Sequence, residues 1–158
     1  MRKQIAFVGF ITLVLCLTVA GNEVPFPSEY RTWASVKSVL IGPKSPAFAT
    51  EAGIHHIYAN HQALQGYETG KFPDGSILVY ELLDITEADG ITTEGSLKRV
   101  DVMLKESQQY KENGSWRFAR FRGGSRADGS ISADQQTTCF YCHTQRKDHD
   151  FVFSEFRK

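Results

Sequence analysis

The stretch that decides the fold covers residues 77–83 and reads Ile-Leu-Val-Tyr-Glu-Leu-Leu. Apolar, β-branched and aromatic side chains without an internal glycine or proline predict a β-strand. Successive side chains of a strand point to opposite faces. One face therefore carries Ile77, Val79, Glu81 and Leu83, and the other carries Leu78, Tyr80 and Leu82. This is the clearest strand of the chain.

Four further segments predict strands on the same grounds. They are bounded by turn residues, of which Pro73-Asp74-Gly75 is the most distinct example. Their ranges are residues 35–41, 54–58, 97–105 and 116–121. In the third of them, Val100, Val102 and Leu104 alternate with Asp101, Met103 and Lys105. Five strands at hairpin-like spacing predict a mainly antiparallel β-sheet.

The rest of the chain predicts short helices and one surface loop. Asn60 is a typical helix N-cap and Gly70 a typical C-terminal stop, so a helix is predicted between them. Residues 28–33, with Ser28 as the cap, and residues 107–112 predict two shorter helices. Residues 122–132 are mainly Gly, Ser, Arg and Asp and predict a mobile surface loop with little to bury. The predicted fold class is α+β, a sheet of about five strands with short helices.

The N-terminus has the three parts of a secretory signal peptide. Met1-Arg2-Lys3 precedes an apolar run over residues 5–19, and the run closes on Ala20-Gly21. An uncleaved anchor is the alternative, although the run is short for a membrane span of about 20 apolar residues. We therefore predict a signal peptide over residues 1–21, export to the periplasm, and one domain over residues 22–158.

The charge of the mature chain excludes some functional classes. Loss of Arg2 and Lys3 lowers the count of basic residues from 18 to 16, against 18 acidic residues, for a net charge of −2. Binding to nucleic acid or to an anionic membrane needs a concentrated positive field, which this balance does not supply. We expect no nucleic-acid partner.

Residues 139–143 read Cys-Phe-Tyr-Cys-His, which is the C-x-x-C-H motif of c-type haem attachment. Two thiols on one turn can add to the vinyl groups at one edge of a porphyrin, and the adjacent imidazole then becomes the proximal iron ligand. A disulfide would leave His143 unexplained, and a zinc site would need a second pair of ligands, of which His149 supplies one at most. The motif predicts one covalent haem c, attached through Cys139 and Cys142 and ligated by His143.

A second axial ligand is harder to identify. Electron-transfer cytochromes usually use a methionine or a second histidine there. The candidates are Met103, His55, His56, His61 and His149. A methionine on an apolar strand is more often core packing, and adjacent histidines on a strand cannot both face the interior. None of the five stands out.

Further motifs accompany the haem motif in a fixed order. They lie at residues 53–60 (Gly-Ile-His-His-Ile-Tyr-Ala-Asn), 70–76 (Gly-Lys-Phe-Pro-Asp-Gly-Ser), 77–83, 102–105, 114–116 and 150–153. In this order, and with C-x-x-C-H, the sequence resembles the cytochrome P-460 family. The family includes enzymes that oxidise hydroxylamine and the cytochromes c′-beta, which bind nitric oxide or carbon monoxide. The resemblance implies strands with helices, a homodimer, and a five-coordinate haem with His143 proximal and an open distal side.

Two positions depart from the hydroxylamine-oxidising members. Where these enzymes carry a lysine that cross-links to the porphyrin, this sequence has Tyr80. Where they carry a distal acid, the alignment gives Lys105, with Glu106 one residue away and on the other face. In the gas-binding branch aromatic side chains cap the iron, and Phe48 and Tyr80 match those positions. The resemblance therefore implies that Phe48 and Tyr80 line the haem site.

Three functions follow as hypotheses. The first is a cytochrome with an aromatic-capped haem that binds nitric oxide or another small diatomic ligand. The second is an enzyme that oxidises hydroxylamine or acts as a peroxidase, which needs a proton acceptor that the sequence does not reveal. The third is a periplasmic electron-transfer cytochrome, which needs Met103 or a histidine on the iron. Each implies a redox partner protein.

Overall fold

The computed structural model describes residues 24–127 and 129–156, and the predicted signal peptide lies outside this part of the chain. In this part of the chain, five strands form one sheet in the order β1-β2-β3-β4-β5, and every neighbouring pair is antiparallel. The strands are β1 Ala34–Ile41, β2 Gly53–Ala59, β3 Ile77–Ala88, β4 Ile91–Lys105 and β5 Trp116–Arg122. The prediction of an α+β fold with a mainly antiparallel sheet is confirmed.

Within the described residues, three α-helices and three 3₁₀ helices accompany the sheet. The α-helices are α1 Phe48–Glu51, α2 His61–Thr69 and α3 Ala133–His143, and the 3₁₀ helices are Tyr30–Thr32, Lys111–Asn113 and Thr144–His149. Helix α2 begins and ends as predicted, because the Asn60 side chain accepts the Ala63 amide and Gly70 adopts a left-handed conformation at φ 75°. Among the described residues, no helix combines the length and apolar character needed to cross a membrane.

Two predicted helices are shorter than the sequence suggests. The first has no side-chain cap from Ser28; it begins after Glu29, where the Tyr30 amide donates to the Pro27 carbonyl. The predicted helix over residues 107–112 is replaced by Lys111–Asn113, because Tyr110 lies in the left-handed region at φ 53° and interrupts a helical path. Both segments are backbone turns rather than capped α-helices.

The β3–β4 hairpin is longer than predicted. Its ends are joined by Asp89 and Gly90, with φ angles of 53° and 77°. An Asp-Gly pair with two positive φ angles suits the turn that joins twisted antiparallel strands. Residues 84–88 and 91–94 are exposed, so the outer part of the hairpin is held by strand pairing rather than by burial. The hydrophobic pattern alone therefore could not reveal it.

The sheet has two faces that are covered differently. The closed face carries Val79, Val100, Val102, Ala119 and Phe121, which pack against Val24, Phe26 and Tyr30. The cavity face carries Leu78, Met103 and Phe118, which pack with Ala63, Phe72, Val152 and the helix α3 residues Cys139 and Phe140. The alternation predicted for β3 and β4 is thereby confirmed.

A buried carboxylate lies on the closed face. Glu81 is 1 % exposed and accepts hydrogen bonds from the Tyr30 hydroxyl, at 2.6 Å, and from the Arg31 guanidinium. Burial, with the neighbouring carboxylate, raises the pKa of Tyr30 well above its usual range. The N-terminal segment thus closes this face with both apolar contacts and a satisfied charge.

The glycine-rich segment after β5 is only partly a surface loop. Residues 122–127 are exposed, as predicted. Gly129 is buried against the ring of Phe121, where an added Cβ would lie 2.1 Å from the ring, and Ile131 packs on the cavity side. The prediction that this segment has little to bury is wrong for Gly129 and Ile131, because the missing side chain of Gly129 admits the Phe121 ring and Ile131 packs in the core.

Candidate haem site

Helix α3 positions the C-x-x-C-H motif. The helix begins with a capping box, in which the Ser132 hydroxyl accepts the Gln135 amide and the Gln135 side chain accepts the Ser132 amide. The Gln136 side chain accepts the Phe118 amide at 3.1 Å and donates to the Phe118 carbonyl at 2.6 Å. These bonds fix helix α3 against β5. Residues three and four apart on a helix lie on the same side of it, which lets Cys139 share one side with Cys142 and His143.

A cavity of about 790 Å³ lies between the cavity face, helix α3 and the C-terminal segment. This volume is within the range of roughly 300–1,000 Å³ for ligand and cofactor sites. Cys139, Cys142 and His143 line it from the helix, and Tyr80 lines it from β3. Both thiols are free, and burial raises the pKa of Cys139. The structure thus brings together four of the five predicted site residues.

The fifth predicted site residue, Phe48, is placed elsewhere. It begins the short helix α1, is 40 % exposed, and is not among the residues that line the cavity. Its neighbours Ala47 and Glu51 do line it. Helix α1 therefore presents an acid to the cavity rather than the aromatic ring that the resemblance implied.

His143 is held in the orientation that a metal-binding histidine needs. Its Nδ1 atom donates to the Phe151 carbonyl at 2.7 Å, which leaves the lone pair on Nε2. The ring contacts the rings of Phe118 and Phe153, with centroids 5.2 and 5.1 Å apart. Burial lowers the pKa of His143, which favours the neutral imidazole that ligates metals.

The strand register divides the cavity face into three rows of side chains. An apolar row contains Leu78, Met103 and Phe118; a first polar row contains Tyr80, Asp101 and Arg120; a second polar row contains His55, Leu82 and Arg99. Phe118 contacts the His143 ring, so the apolar row lies beside the predicted proximal ligand. The two polar rows, together with Glu51, form what we call the polar end of the cavity.

Glu51 is the functional candidate that the sequence did not reveal. Its carboxylate accepts the Tyr80 hydroxyl at 2.9 Å and the Arg99 guanidinium at 2.5 Å. The His55 Nε2 atom donates to the Glu51 backbone carbonyl at 2.5 Å, and burial lowers the pKa of His55. A single acidic residue before a strand forms no recognisable sequence motif. The position of Glu51 in the cavity wall is therefore visible only in the folded chain.

A second carboxylate lies beside the first. Asp101 accepts two hydrogen bonds from Arg120, at 2.6 and 2.7 Å, and one from Arg99 at 3.0 Å. The bond to Asp101 raises the pKa of Arg120. The polar end therefore holds two acids and two guanidinium groups in a charge-balanced network.

The structure corrects the position assigned to Lys105. Its side chain does not reach the cavity; its Nζ atom donates to the Asp150 carboxylate at 2.8 Å and to the Gly114 carbonyl at 2.9 Å. Glu106 pairs instead with Arg117 at 2.9 Å. The acid of β4 that lines the cavity is Asp101, which shares the face of Lys105 but lies two rows away along the strand.

Three of the five candidates for a second axial ligand lie outside the cavity wall. His56 bonds Ser38 and Glu94, at 2.7 Å each, while His61 and His149 are exposed. The two that line the cavity are Met103 and His55. The adjacent histidines of β2 thus point to opposite faces, as strand alternation requires.

Neither of these two side chains is placed as an obvious ligand. Met103 pairs in register with Phe118, the residue that contacts His143, so the methionine lies at the proximal end of the cavity. His55 has its Nε2 atom engaged by the Glu51 carbonyl. The polar end is therefore lined by hydrogen-bonding groups that are already paired.

The site fits a covalently attached haem. Two free thiols and an imidazole with an available Nε2 atom face one cavity from a single helix. These are the groups that attach a porphyrin by thioether bonds and ligate its iron. Cys139 and Cys142 would hold the porphyrin, and His143 would bind the iron. The fold and the site together define the class as an α+β haem protein of the c type.

Comparison with protein families agrees with this class. The profile of the family described as Cytochrome P460 matches residues 27–154, which is most of the chain. The chain therefore belongs to the cytochrome P460 family, as the sequence motifs predicted, and this membership supports haem c as its cofactor. A search of curated proteins found no match.

Proposed function

We propose that this chain is an exported mono-haem c-type cytochrome that binds a small diatomic ligand, with nitric oxide as the first candidate. The observation that carries the proposal is the placement of Met103 and His55. The methionine lies at the end of the cavity beside His143, and the histidine is engaged by Glu51. Because neither side chain is placed to bind the iron from the polar end, that end of the cavity is available to an external ligand.

The chain's own groups at the polar end limit what can enter. Cys139, Cys142 and His143 would hold the haem, which would supply an iron centre able to bind a small molecule. The Tyr80 ring stands in the wall of this end, and its hydroxyl is directed to the Glu51 carboxylate. An aromatic ring in the wall restricts the room, which favours a diatomic molecule over a larger one.

The optical spectrum of the holoprotein, oxidised and dithionite-reduced, with and without carbon monoxide, tests this proposal. We expect a high-spin ferrous spectrum that changes when carbon monoxide is added. A low-spin spectrum that is indifferent to carbon monoxide would contradict it and would favour an electron carrier. In that case Met103→Leu and His55→Gln would identify the protein ligand, because only one of them should restore a high-spin spectrum.

A second candidate function is favoured by Glu51. A haem enzyme that oxidises hydroxylamine, or acts as a peroxidase, needs a proton acceptor near the bound substrate. The Glu51 carboxylate lies in the cavity wall and pairs with the Arg99 guanidinium. It can therefore accept a proton from a substrate that reaches Tyr80.

Steady-state assays with hydroxylamine and with peroxide separate the two candidates. If the chain is an enzyme, Glu51→Gln should lower turnover by about 10²–10⁴-fold, the usual contribution of a general base. The matched control is Glu87→Gln, an exposed acid on the β3–β4 hairpin. Absence of turnover by the unaltered protein, with carbon monoxide binding intact, would favour ligand binding alone.

Export and association are further parts of the proposal. The signal peptide over residues 1–21 would direct the chain to the periplasm, where a redox protein would exchange electrons with it. The family resemblance favours a homodimer. Intact-mass measurement of the purified protein would reveal a mature N-terminus near residue 22, and sedimentation would report the number of subunits. A mass that retains residues 1–21 would contradict cleavage.

A further inference from the structure

Two consecutive residues beside the predicted proximal ligand adopt left-handed backbone conformations. Asp150 and Phe151 have φ angles of 52° and 68° and directly follow the 3₁₀ helix Thr144–His149. For residues with a Cβ atom this conformation costs roughly 1–2 kcal/mol each, so it persists only where surrounding contacts hold it. Two sets of contacts hold these residues in this conformation, one at Asp150 and one at Phe151.

The first contacts fix Asp150 from two strands of the sheet and from the segment between α2 and β3. Its carboxylate accepts the Lys105 ammonium at 2.8 Å and the Phe72 amide at 2.8 Å. Its backbone carbonyl accepts the Trp116 indole N–H at 2.8 Å. Lys105 also lies 4.9 Å above the Trp116 ring, and all four residues are buried. Two of the three donors, Lys105 and Trp116, belong to the sheet strands β4 and β5.

The second contacts fix Phe151. Its amide donates to the Arg146 carbonyl at 2.8 Å. Its ring lies against Gly114, where an added Cβ would come within 2.3 Å of the ring. Its carbonyl accepts the His143 Nδ1 atom at 2.7 Å. We call the hydrogen bonds that Asp150 accepts from Lys105, Phe72 and Trp116 the Asp150 clamp. The direction of the Phe151 carbonyl is thus determined by this clamp and by the packing of the Phe151 ring.

We propose that Lys105, Asp150 and Trp116 are positioning residues that set the hydrogen bond of His143 and, through it, the reduction potential of the haem. A carbonyl that accepts the Nδ1 proton makes the imidazole a more basic ligand. A more basic axial ligand stabilises oxidised iron over reduced iron. The inference rests on the proposed proximal role of His143 and is independent of what binds at the polar end.

The choice of residues agrees with positioning rather than with simple packing. A buried ion pair adds little net stability compared with apolar side chains of similar volume, because both charges must be desolvated. The Lys105–Asp150 pair nonetheless spans from β4 to the segment after the 3₁₀ helix, with side-chain exposures of 9 % and 10 %. Its directional bonds constrain the backbone at Asp150 in a way that apolar contacts would not.

Redox titration of the holoprotein tests the proposal in three variants. Asp150→Asn and Trp116→Phe weaken the clamp, and Glu81→Gln is the matched control because it neutralises a buried carboxylate on the closed face. We expect the clamp variants to raise the reduction potential, with a ratio of reduced to oxidised haem about tenfold higher at a fixed ambient potential, because loss of an outer-shell partner typically changes metal affinity by about 10–100-fold. The control should lower stability and leave the potential unchanged.

The iron–histidine stretching band in the resonance Raman spectrum of the reduced protein gives a second readout. It should fall in frequency in the clamp variants and stay constant in Glu81→Gln. If Asp150→Asn does not fold, Trp116→Phe decides alone, because it removes only one hydrogen bond and part of a ring.

Several outcomes would overturn the inference. They are an unchanged reduction potential in the clamp variants, an equal shift of the potential in the control Glu81→Gln, or an iron–histidine stretching band that is still present in His143→Ala. A low-spin spectrum indifferent to carbon monoxide would instead contradict the proposed ligand binding, while a raised potential in the clamp variants would still support the clamp.

Discussion

The closed face and the cavity face of the sheet each bring a carboxylate next to a tyrosine and an arginine. On the closed face, Glu81 with Tyr30 and Arg31 is sealed by the N-terminal segment. On the cavity face, the Glu51 side chain keeps 28 % exposure and borders a cavity of about 790 Å³. The Glu81 cluster thus stabilises the fold on a face that the chain fills, while the similar Glu51 cluster remains accessible on a face that it does not fill.

The difference originates in the alternation of a single strand. Glu81 and Tyr80 are neighbours on β3 and point to opposite faces. Residues 24–33 cover one face with aromatic and apolar side chains, while helix α3 stands off the other and presents its thiols. Chemistry is therefore expected where the chain leaves a face incompletely filled.

The largest expected effect comes from removing the thiols on the cavity face. The double variant Cys139→Ala, Cys142→Ala should lose covalent haem completely, because both thioether bonds are then impossible. Haem-specific staining of a denaturing gel measures this. Tyr141→Phe is the control; Tyr141 lies between the cysteines, is 77 % exposed, and should leave the stain unchanged. Covalent haem in the double variant would refute the attachment.

A smaller effect is expected on the closed face. Glu81→Gln should lower the free energy of unfolding by about 2–3 kcal/mol, because charge-assisted hydrogen bonds to a buried carboxylate are weakened. Urea unfolding of the holoprotein measures the loss, with Glu87→Gln as an exposed control. The visible spectrum should not change. A spectral change in Glu81→Gln would show that the two faces are coupled.

The next prediction concerns alkaline pH on the cavity side. Burial raises the pKa of Tyr67 to about 12, and its hydroxyl bonds Ser154 at 2.6 Å. Between pH 10 and 12 the unfolded chain releases this proton first, so the free energy of unfolding falls as pH rises, by up to about 2–3 kcal/mol. Tyr67→Phe should make that fall shallower in urea titrations at pH 8 and pH 11.5.

Tyr30→Phe is the matched variant on the closed face, because the pKa of Tyr30 is also raised by burial. Each variant should remove part of the alkaline loss of stability. An alkaline slope that neither variant changes would contradict both pKa assignments.

The smallest expected effect on stability is that of Tyr80→Phe. Loss of the hydrogen bond to Glu51 should cost about 1 kcal/mol or less, because both groups remain near a solvent-accessible cavity. The dissociation rate of carbon monoxide or nitric oxide should change more than stability does, since the hydroxyl and Glu51 border the polar end. Stopped-flow kinetics measure this, and Tyr58→Phe, on the other face, is the control. An unchanged dissociation rate would contradict a role of Tyr80 at the polar end of the cavity.

The sequence predicted the fold well where patterns are local. Strand alternation, the N-cap at Asn60 and the stop at Gly70 are encoded within a few residues, and the structure confirms them. The outer β3–β4 hairpin was missed because its residues are exposed and mostly polar, although Asp89-Gly90 is a hairpin signal. Helix α1 was missed because four residues carry too little periodicity to detect.

Four residues of the cavity wall were predicted from the sequence, namely Cys139, Cys142 and His143 by their spacing and Tyr80 by the family resemblance. The spacing of Cys139, Cys142 and His143 is fixed by the chemistry of attachment and can be read directly. The approach of Glu51 to Tyr80 joins residues 29 positions apart through helix α1, and no local pattern records it. Lys105 was misplaced for a related reason: one face of β4 runs from the polar end to the Asp150 clamp, and alternation alone does not say which row borders the cavity.

The bonds at the outer edge of β5 have a consequence for assembly. An unpaired edge strand offers free amide and carbonyl groups to which another chain can add. Here the Gln136 side chain occupies both backbone groups of Phe118, and the Gly129 carbonyl accepts the Arg120 amide at 3.1 Å. The chain thereby protects this border of the sheet from intermolecular strand addition at Phe118 and Arg120, and fibre-like growth from β5 is opposed while helix α3 stays docked.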